Sequence, residues 1–185
     1  IDKSNSQIPD DAIIALEIDL NNNIWIGTYE SGLAKYDGTQ WTIYNKSNSE
    51  LPTDFVQAIK YDKQGTLWIG SGKDKNKGGG LIKFDGVNWT IYNMDNSDLP
   101  WNIISVIATD SLNNVWAVIK DKGVVKFDGD LWKTYTEENT DLPSNDISAI
   151  VIDFEGRTWI GTDKGLAKYD DDKWEIFNSA NSIFP

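Results

Sequence analysis

Apolar residues occur along this chain in short runs, and the same order of runs returns four times. In each copy an apolar run ends in Asp, a polar turn follows, and two further short apolar segments lead to a second Trp. The copy from Leu142 to Trp174 shows every part: LPSNDISAIVIDFEGRTWIGTDKGLAKYDDDKW. Short apolar runs bounded by Gly, Asn and Asp are typical of strands, so four strands per copy are predicted.

The copies keep a common period. Their first tryptophans, spaced 43, 48 and 43 residues apart, are Trp25, Trp68, Trp116 and Trp159. Their second tryptophans are Trp41, Trp89, Trp132 and Trp174. A period of about 43 residues is the length of one four-stranded propeller blade, whereas a β-sandwich does not require identical repeats. The sequence therefore predicts an all-β propeller, one domain over residues 1–185 with repeats at about 9–51, 52–99, 100–142 and 143–185.

The first strand of each repeat is apolar on both faces, which is typical of a strand sandwiched between neighbouring layers. The predicted first strands are Ala12–Ile18, Phe55–Tyr61, Ile103–Thr109 and Ile147–Ile152. Asp-Gly dipeptides between the third and fourth strands predict two-residue hairpin turns. These dipeptides are Asp37-Gly38, Asp85-Gly86 and Asp128-Gly129, and Asp170-Asp171 takes their place in the fourth copy.

Composition and charge exclude several classes of partner and of active site. The 185 residues carry a net charge of −12, which makes nucleic acid and anionic membranes poor partners. No apolar run approaches the length of a membrane span, so no membrane insertion is expected. The chain has no His, which removes imidazole general bases and His metal sites, and no Cys, which excludes a disulfide scaffold. We predict no catalytic residue, metal or cofactor.

Two sets of periodic residues have a structural and a functional interpretation. The eight in-register tryptophans either fill the wedges between blades or stack on sugars, and their strict periodicity favours filling. The aspartates before the first turns either cap those turns or bind Ca²⁺, and capping is the simpler interpretation. They are Asp19, Asp62, Asp110 and Asp153.

The residues present argue against two classes of enzyme that act on glycans. A sialidase needs an arginine cluster, and the chain has only Arg157. A glycosidase needs two carboxylates, and no pair stands out.

The departures from the repeat point to a candidate site. The second copy carries an insertion, GSGKDKNKGGG, with Lys73, Lys75 and Lys77. Trp101, the one Trp out of register, follows the Leu-Pro pair of the third copy. In an up-and-down blade the loop between strands two and three lies on the same face as the connector between blades, so these groups should be neighbours. We expect a shallow ligand site there that includes Tyr29 and Asn102. The alternative is a variable surface loop with an exposed aromatic or an interface patch.

The segments Leu142–Leu166 and Leu51–Gly70 follow the pattern L-P-[ST]-x-x-[IV]-x-x-[IL]-x-x-D-x-x-G-x-x-W-I-G-T-x-x-G-L, with weaker matches in copies one and three. This pattern resembles the two-component regulator propeller repeat. The resemblance implies a bacterial, exported protein, periplasmic or at the cell surface, because propellers of this family are extracytoplasmic. Many of them are sensor regions that respond to glycans. The resemblance also implies more than four blades. Four copies would close as a small ring, pair with a second chain to make eight, or belong to a larger ring.

These observations favour a non-enzymatic recognition module that binds a glycan or a protein partner on one propeller face. The alternative is an assembly module whose blades pack against other subunits, as a homodimer, or against further blades of a longer chain. A glycan-active enzyme is the third and least favoured interpretation.

Overall fold

The computed structural model describes residues 2, 4, 6–73 and 78–182, and its regular structure consists of sixteen strands in four antiparallel sheets. The strands are β1 Ile13–Ile18, β2 Ile24–Thr28, β3 Leu33–Tyr36, β4 Trp41–Tyr44, β5 Val56–Tyr61, β6 Leu67–Ser71, β7 Gly80–Phe84, β8 Trp89–Tyr92, β9 Ile104–Thr109, β10 Val115–Ile119, β11 Gly123–Phe127, β12 Trp132–Tyr135, β13 Ile147–Ile152, β14 Thr158–Thr162, β15 Gly165–Asp170 and β16 Lys173–Phe177. Each sheet holds four consecutive strands in chain order, and we call the sheets blades 1 to 4. The all-β propeller prediction is confirmed, while the single-domain boundaries stay a prediction. The described residues hold no helix long and apolar enough to cross a membrane.

The first strands of the blades pack on one another in chain order. Strand β1 packs on β5, β5 on β9, and β9 on β13, as expected for strands that are apolar on both faces. Among the described strands no comparable packing returns from β13 to β1. The four blades therefore form an open series with three internal seams, 1–2, 2–3 and 3–4, and each end blade keeps one face without a neighbouring blade.

Each seam is filled by a cluster of four aromatic rings, which we call its ring cluster. Two rings come from the second and fourth strands of the earlier blade, and two from the third and fourth strands of the later one. The clusters are Trp25, Tyr44, Phe84 and Trp89; Trp68, Tyr92, Phe127 and Trp132; and Trp116, Tyr135, Tyr169 and Trp174. Offset and edge-to-face contacts of this kind add to the burial of apolar area. The wedge-filling interpretation of the in-register tryptophans is confirmed at these three seams.

Nearer the centre, the glycine of the W-I-G segment lets the next blade approach closely. A Cβ at Gly27 would lie 2.4 Å from the carbonyl oxygen of Val56, and a Cβ at Gly70 would lie 2.7 Å from that of Ile104. Blade 3 has Val118 at this position, fully buried. At that seam β13 packs more sparsely on β9 and β10 than the equivalent strands do at the other seams. Absence of the glycine thus accompanies a looser inner contact.

The Asp interpretation is confirmed by hydrogen bonds. In blade 1 the Asp19 Oδ1 atom accepts the backbone N–H groups of Asn21 and Asn23, at 2.9 and 3.0 Å. Its Oδ2 atom accepts the indole N–H of Trp25 at 2.9 Å, which ties the turn to the ring cluster. The same indole bond forms in blades 2 and 4, from Trp68 to Asp62 and from Trp159 to Asp153. Blade 3 keeps the Asn side-chain bond of blade 1, from Asn114 to the Asp110 Oδ2 atom at 2.7 Å, but the buried Trp116 indole N–H has no partner among the described residues.

The predicted Asp-Gly hairpin turns are displaced by one residue. In blade 1 the strand pairing ends at Tyr36 and Trp41, and the Asp37 backbone N–H still donates to the Gln40 carbonyl at 3.2 Å, so the two turn residues are Gly38 and Thr39 rather than Asp37 and Gly38. The Asp37 side chain closes this loop by accepting the backbone N–H of Thr39 and Gln40, at 2.8 and 2.7 Å. An Asp side chain that bonds the backbone two residues ahead makes its own turn, which the dipeptide signal did not distinguish.

Blade 4 lacks the Asp-Gly dipeptide and also makes a two-residue turn. There Asp170 pairs with Lys173, and the turn residues are Asp171 and Asp172 rather than Asp170 and Asp171. Both have positive φ, 45° and 63°, the left-handed conformation that short hairpin turns require and that Asp tolerates.

Candidate functional site

One face of blades 1 and 2 carries a shallow, open groove of about 630 Å³, which we call the blade 1–2 groove. It forms where the loops after β2 and β6 meet the connector that leads into β5. Its lining residues are Tyr29, Glu30, Lys46, Pro52, Thr53, Asp54, Phe55, Lys73 and Gly78. Loops held on a rigid sheet scaffold are common positions for binding residues.

Two aromatic rings line the groove. Tyr29 directly follows β2 and Phe55 directly precedes β5, and their rings meet edge to face with centroids 5.3 Å apart. Tyr29 is 38% exposed, in contrast to the ring-cluster aromatics inside the seams. Phe55 is half-buried, so the pair offers a partly exposed apolar surface to a ligand.

Lys73 crosses this aromatic pair. Its Nζ atom lies 3.8 Å from the centroid of the Tyr29 ring and 5.9 Å from that of Phe55, and 3.7 Å from a carboxylate oxygen of Glu30. Such a cation over an aromatic face is an attractive contact. The Tyr29 side chain, and after it the Glu30 carboxylate, raises the pKa of Lys73.

The opposite rim is polar and structurally fixed. The Lys46 backbone N–H donates to the Asp54 side chain at 2.8 Å, and the Lys46 ammonium lies 3.8 Å from the same carboxylate. The Asp54 carbonyl oxygen accepts the Gly32 N–H at 2.8 Å, which links the connector to the β2–β3 loop. The groove therefore presents two cations and two carboxylates around its aromatic floor.

The structure brings some of the predicted site residues together and separates others. Tyr29 and Lys73 meet in the groove, and the insertion loop reaches the entry to blade 3, because Gly72 and Gly78 both approach Asn102. Trp101 does not line the groove. It is partly buried against the apolar core between blades 2 and 3. Lys75 and Lys77 lie outside the described residues. Ligand binding by these residues stays a prediction.

Asn102 has a structural role in the connector. Its Oδ1 atom accepts the Met94 N–H at 2.8 Å, and its carbonyl oxygen accepts the Gly80 N–H at 2.9 Å. Asp54 makes the same two kinds of bond one blade earlier. Asp54 and Asn102 both lie two residues after the Pro of a Leu-Pro pair, so this repeat position identifies the role from the sequence.

Sequence reasoning missed a second pocket, at seam 3–4, of about 540 Å³. Its wall contains a chain of hydrogen bonds: Tyr135 OH to Tyr169 OH at 3.1 Å, Tyr169 OH to Asp172 at 2.7 Å, and Lys133 Nζ to Asp172 at 2.7 Å. Burial, and then the Tyr135 hydroxyl, raises the pKa of Tyr169. The signals were present, because blade 4 has Tyr where blades 2 and 3 have Phe, and a run of three Asp beside it. These polar groups are partnered internally, which leaves the blade 1–2 groove as the better candidate.

The model of the family described as two component regulator propeller matches residues 50–73 and 141–164. Those segments belong to the second and fourth copies, where the pattern is clearest. The first and third copies lie outside the matched residues. No curated protein matches the chain.

Extracellular domains of two-component systems are among its structural neighbours. One is the extracellular domain of BT3049 from B. thetaiotaomicron, described as a hybrid two-component system: TM-score 0.78, 22% identity, 94% of this chain and 24% of that chain covered. Another is the extracellular domain of BT4673 from the same organism: TM-score 0.76, 20% identity, 95% and 25% covered. This chain thus spans about a quarter of their length.

A propeller enzyme is also similar in fold. A catalytically inactive variant of virginiamycin B lyase from Staphylococcus aureus, in complex with quinupristin, has a TM-score of 0.72 at 12% identity, with 96% of this chain and 59% of that chain covered. At these identities the likenesses establish the propeller fold and leave function to be argued from the site.

Proposed function

We propose that this chain is a non-enzymatic recognition module of an extracytoplasmic bacterial sensor protein, and that it binds an oligosaccharide in the blade 1–2 groove. The observation that carries the proposal is the ring pair of exposed Tyr29 and half-buried Phe55 with Lys73 across it. The family match and the likeness to extracellular domains of sensor proteins support the sensor role and the location.

The groove's chemistry favours a glycan over a protein partner. A sugar ring presents an apolar C–H face that packs on an aromatic ring and a belt of hydroxyls that bond charged side chains. The groove offers both, with the Tyr29 and Phe55 rings below and Lys46, Lys73 and Asp54 around them. Charges of both signs are balanced along its rim, so a neutral or weakly acidic oligosaccharide fits better than a strongly charged one.

The carboxyl groups support a non-enzymatic role. A glycosidase general acid requires a raised carboxyl pKa. Seven described Asp and Glu residues have a pKa that departs from the ordinary value, and in each the pKa is lowered, because turn N–H groups and other donors stabilise the ionised form. The residues are Asp19, Asp37, Asp85, Asp128, Glu138, Asp153 and Asp172. Such groups are suited to hold loops and poorly suited to deliver protons at neutral pH.

The experiment is an oligosaccharide array screen with the 185-residue chain, followed by calorimetric titration of the best binder. Replacing Tyr29 by Ala removes the stacking surface, so we expect at least about a tenfold loss of affinity. A smaller loss is expected for Lys73→Ala.

Two control variants sharpen the result. Phe154→Ala removes an aromatic ring that is fully exposed elsewhere and should leave the affinity unchanged. Trp101→Ala should lower stability while leaving the affinity of the folded chain close to that of the wild type, because Trp101 packs on the core. Unchanged affinity in Tyr29→Ala would contradict the groove. Turnover of a bound glycan would contradict the non-enzymatic role.

An assembly role is the second candidate, and one observation favours it: each end blade leaves large apolar side chains in solvent. If no glycan binds, assembly becomes the leading function.

A further inference from the structure

The outer face of blade 1 is apolar, and no other blade of the described chain covers it. Leu16 of β1 is 65% exposed and Ile24 of β2 is 37% exposed. At the same repeat positions in blade 2, Ile59 is 7% and Leu67 is 1% exposed, because blade 1 covers them. We call this surface, formed by Leu16, Ile18, Ile24, Tyr36 and Trp41, the leading face of blade 1. Isolated apolar residues on a surface are ordinary, but a contiguous face whose counterparts in the other blades are buried or half-buried marks a contact site.

The outer face of blade 4 is the face that, in blades 1 to 3, packs against the following blade. The apolar residue that follows the glycine at the start of the third strand is fully buried under the next blade in blades 1 to 3, as Leu33, Leu81 and Val124. Leu166 at that position in blade 4 is half-buried. Val151 on β13 is 61% exposed. A Cβ at Gly161 would meet only atoms of its own blade, the nearest being the Ala149 Cβ at 3.7 Å. The space that Val56 fills over Gly27 is therefore open over Gly161. We call this surface, with Trp159 and Phe177, the trailing face of blade 4.

Each end face carries half of a ring cluster. On the trailing face Trp159 and Phe177 stack with centroids 5.9 Å apart, as Trp25 and Tyr44 do at 6.1 Å inside seam 1–2. On the leading face Tyr36 and Trp41 stack at 4.7 Å, as Phe84 and Trp89 do at 4.2 Å. In seams 1–2, 2–3 and 3–4 two such pairs combine into one cluster. The two ends of this chain therefore hold the two halves of a fourth cluster.

We propose that two copies of this chain associate head to tail, the trailing face of blade 4 in one copy packing on the leading face of blade 1 in the other. The interface continues the pattern of the internal seams. Ile13 of one copy, which holds the repeat position of Val56, lies over Gly161 of the other, and the four rings Trp159, Phe177, Tyr36 and Trp41 complete a ring cluster. Because the contact joins different faces, two copies that close on each other bury both end faces of each chain, and copies that do not close extend into longer assemblies.

The test is the molar mass of the 185-residue chain in solution, by light scattering over a wide range of concentration. A mass at or above twice the 20.8 kDa of the chain, falling on dilution, is the expected result. A mass that stays at 20.8 kDa at every concentration would overturn the proposal.

Two single-face variants identify the faces. Gly161→Val fills the open space on the trailing face, and Leu16→Glu places a charge on the leading face. Each should reduce association at least tenfold while the chain stays folded by circular dichroism, since both positions are open in the single chain. Val87→Glu is the matched control, because Val87 is 81% exposed in the β7–β8 loop, away from both faces, and this variant should associate like the wild type. Association that is unaffected by Gly161→Val would overturn the head-to-tail arrangement.

Discussion

Seams 2–3 and 3–4 hold the same four-ring arrangement and differ underneath it. At seam 2–3, Gly70 lets Ile104 lie directly on the preceding blade, and the ring cluster contains Phe127. At seam 3–4, Val118 replaces the glycine, and Tyr169 replaces the phenylalanine. There β13 packs more sparsely on β9 and β10, and a hydrogen-bond chain through Tyr169 joins the blades at the rim.

The comparison distinguishes two structural contributions to the contact between neighbouring blades. The ring cluster is present at every internal seam, so it is the common element that holds neighbouring blades together. The glycine sets how closely the inner strands approach, and where it is lost the seam gains polar bonds at the rim. Close inner packing and rim bonding are therefore alternative ways to stabilise a propeller seam.

The largest expected effect comes from breaking the close inner contact. A Cβ at Gly70 would lie 2.7 Å from the Ile104 carbonyl oxygen and 2.9 Å from its side chain, so Gly70→Val forces blades 2 and 3 apart. We expect a loss of about 3 kcal/mol in the free energy of unfolding, measured by urea denaturation. Gly161→Val is the matched control and should change this free energy by less than about 0.5 kcal/mol when measured on the monomer. Equal losses in the two variants would show that blade contact is not the cause.

The next effect concerns the indole hydrogen bonds. Trp68 donates to buried Asp62 at 2.9 Å, whereas the Trp116 indole N–H is buried without a partner. Trp68→Phe therefore removes a charge-assisted bond, and Trp116→Phe removes an unsatisfied donor. The first should cost about 1–2 kcal/mol more than the second in the free energy of unfolding, by urea denaturation. A larger cost for Trp116→Phe would contradict this account of the turn.

A smaller effect is expected at the rim of seam 3–4. Tyr169→Phe restores the residue type of the other seams and removes two hydrogen bonds, so we expect a loss of about 1 kcal/mol. The matched control is Tyr36→Phe, because the Tyr36 hydroxyl donates to an exposed turn carbonyl, that of Gly38. Both variants are measured on the monomer, since Tyr36 also lies on the leading face of blade 1. Thermal unfolding of the two variants gives the comparison. An unchanged midpoint in Tyr169→Phe would show that the hydroxyl chain does not stabilise the seam.

The smallest effect is the pH dependence of the loops after the third strands. Hydrogen bonds from Asn88 and Val87 lower the pKa of Asp85 from 3.8 to about 2. A lowered folded-state pKa contributes stability above the unfolded value, and that contribution disappears as the pH falls between about 4 and 2. The midpoint of thermal unfolding should fall over this window, and by slightly less in Asp85→Asn. An identical fall in that variant would assign the acid sensitivity to other groups.

Much of the fold follows from the sequence because each blade repeats one pattern. The predicted first strands agree with β1, β5, β9 and β13 to within one residue, since their apolar runs end at an Asp that caps the turn. The Asp-Gly turns were mispredicted because Asp37 builds its loop with its own side chain, a bond that a dipeptide signal does not encode. The looser seam 3–4 was also not predicted, although its cause, Val118, is visible in the sequence.

Less of the candidate site is predictable, because it depends on loops from different blades. Loop direction alone indicated that the insertion and the entry to blade 3 share a face, and the contacts of Gly72 and Gly78 with Asn102 agree with this. The contact between Lys73 and Tyr29 depends on where one side chain turns within an insertion. The role of Phe55 was missed, because it looks like the first residue of an apolar strand.

The central claim is that the two ends of the chain are the two halves of a blade seam. The most direct measurement is the molar mass of an equimolar mixture of Gly161→Val and Leu16→Glu chains, each of which should be monomeric alone. The first variant keeps an intact leading face and the second an intact trailing face, so the mixture should form a two-chain species of about twice 20.8 kDa. A mixture that remains at 20.8 kDa, while the wild-type chain associates, would contradict the claim.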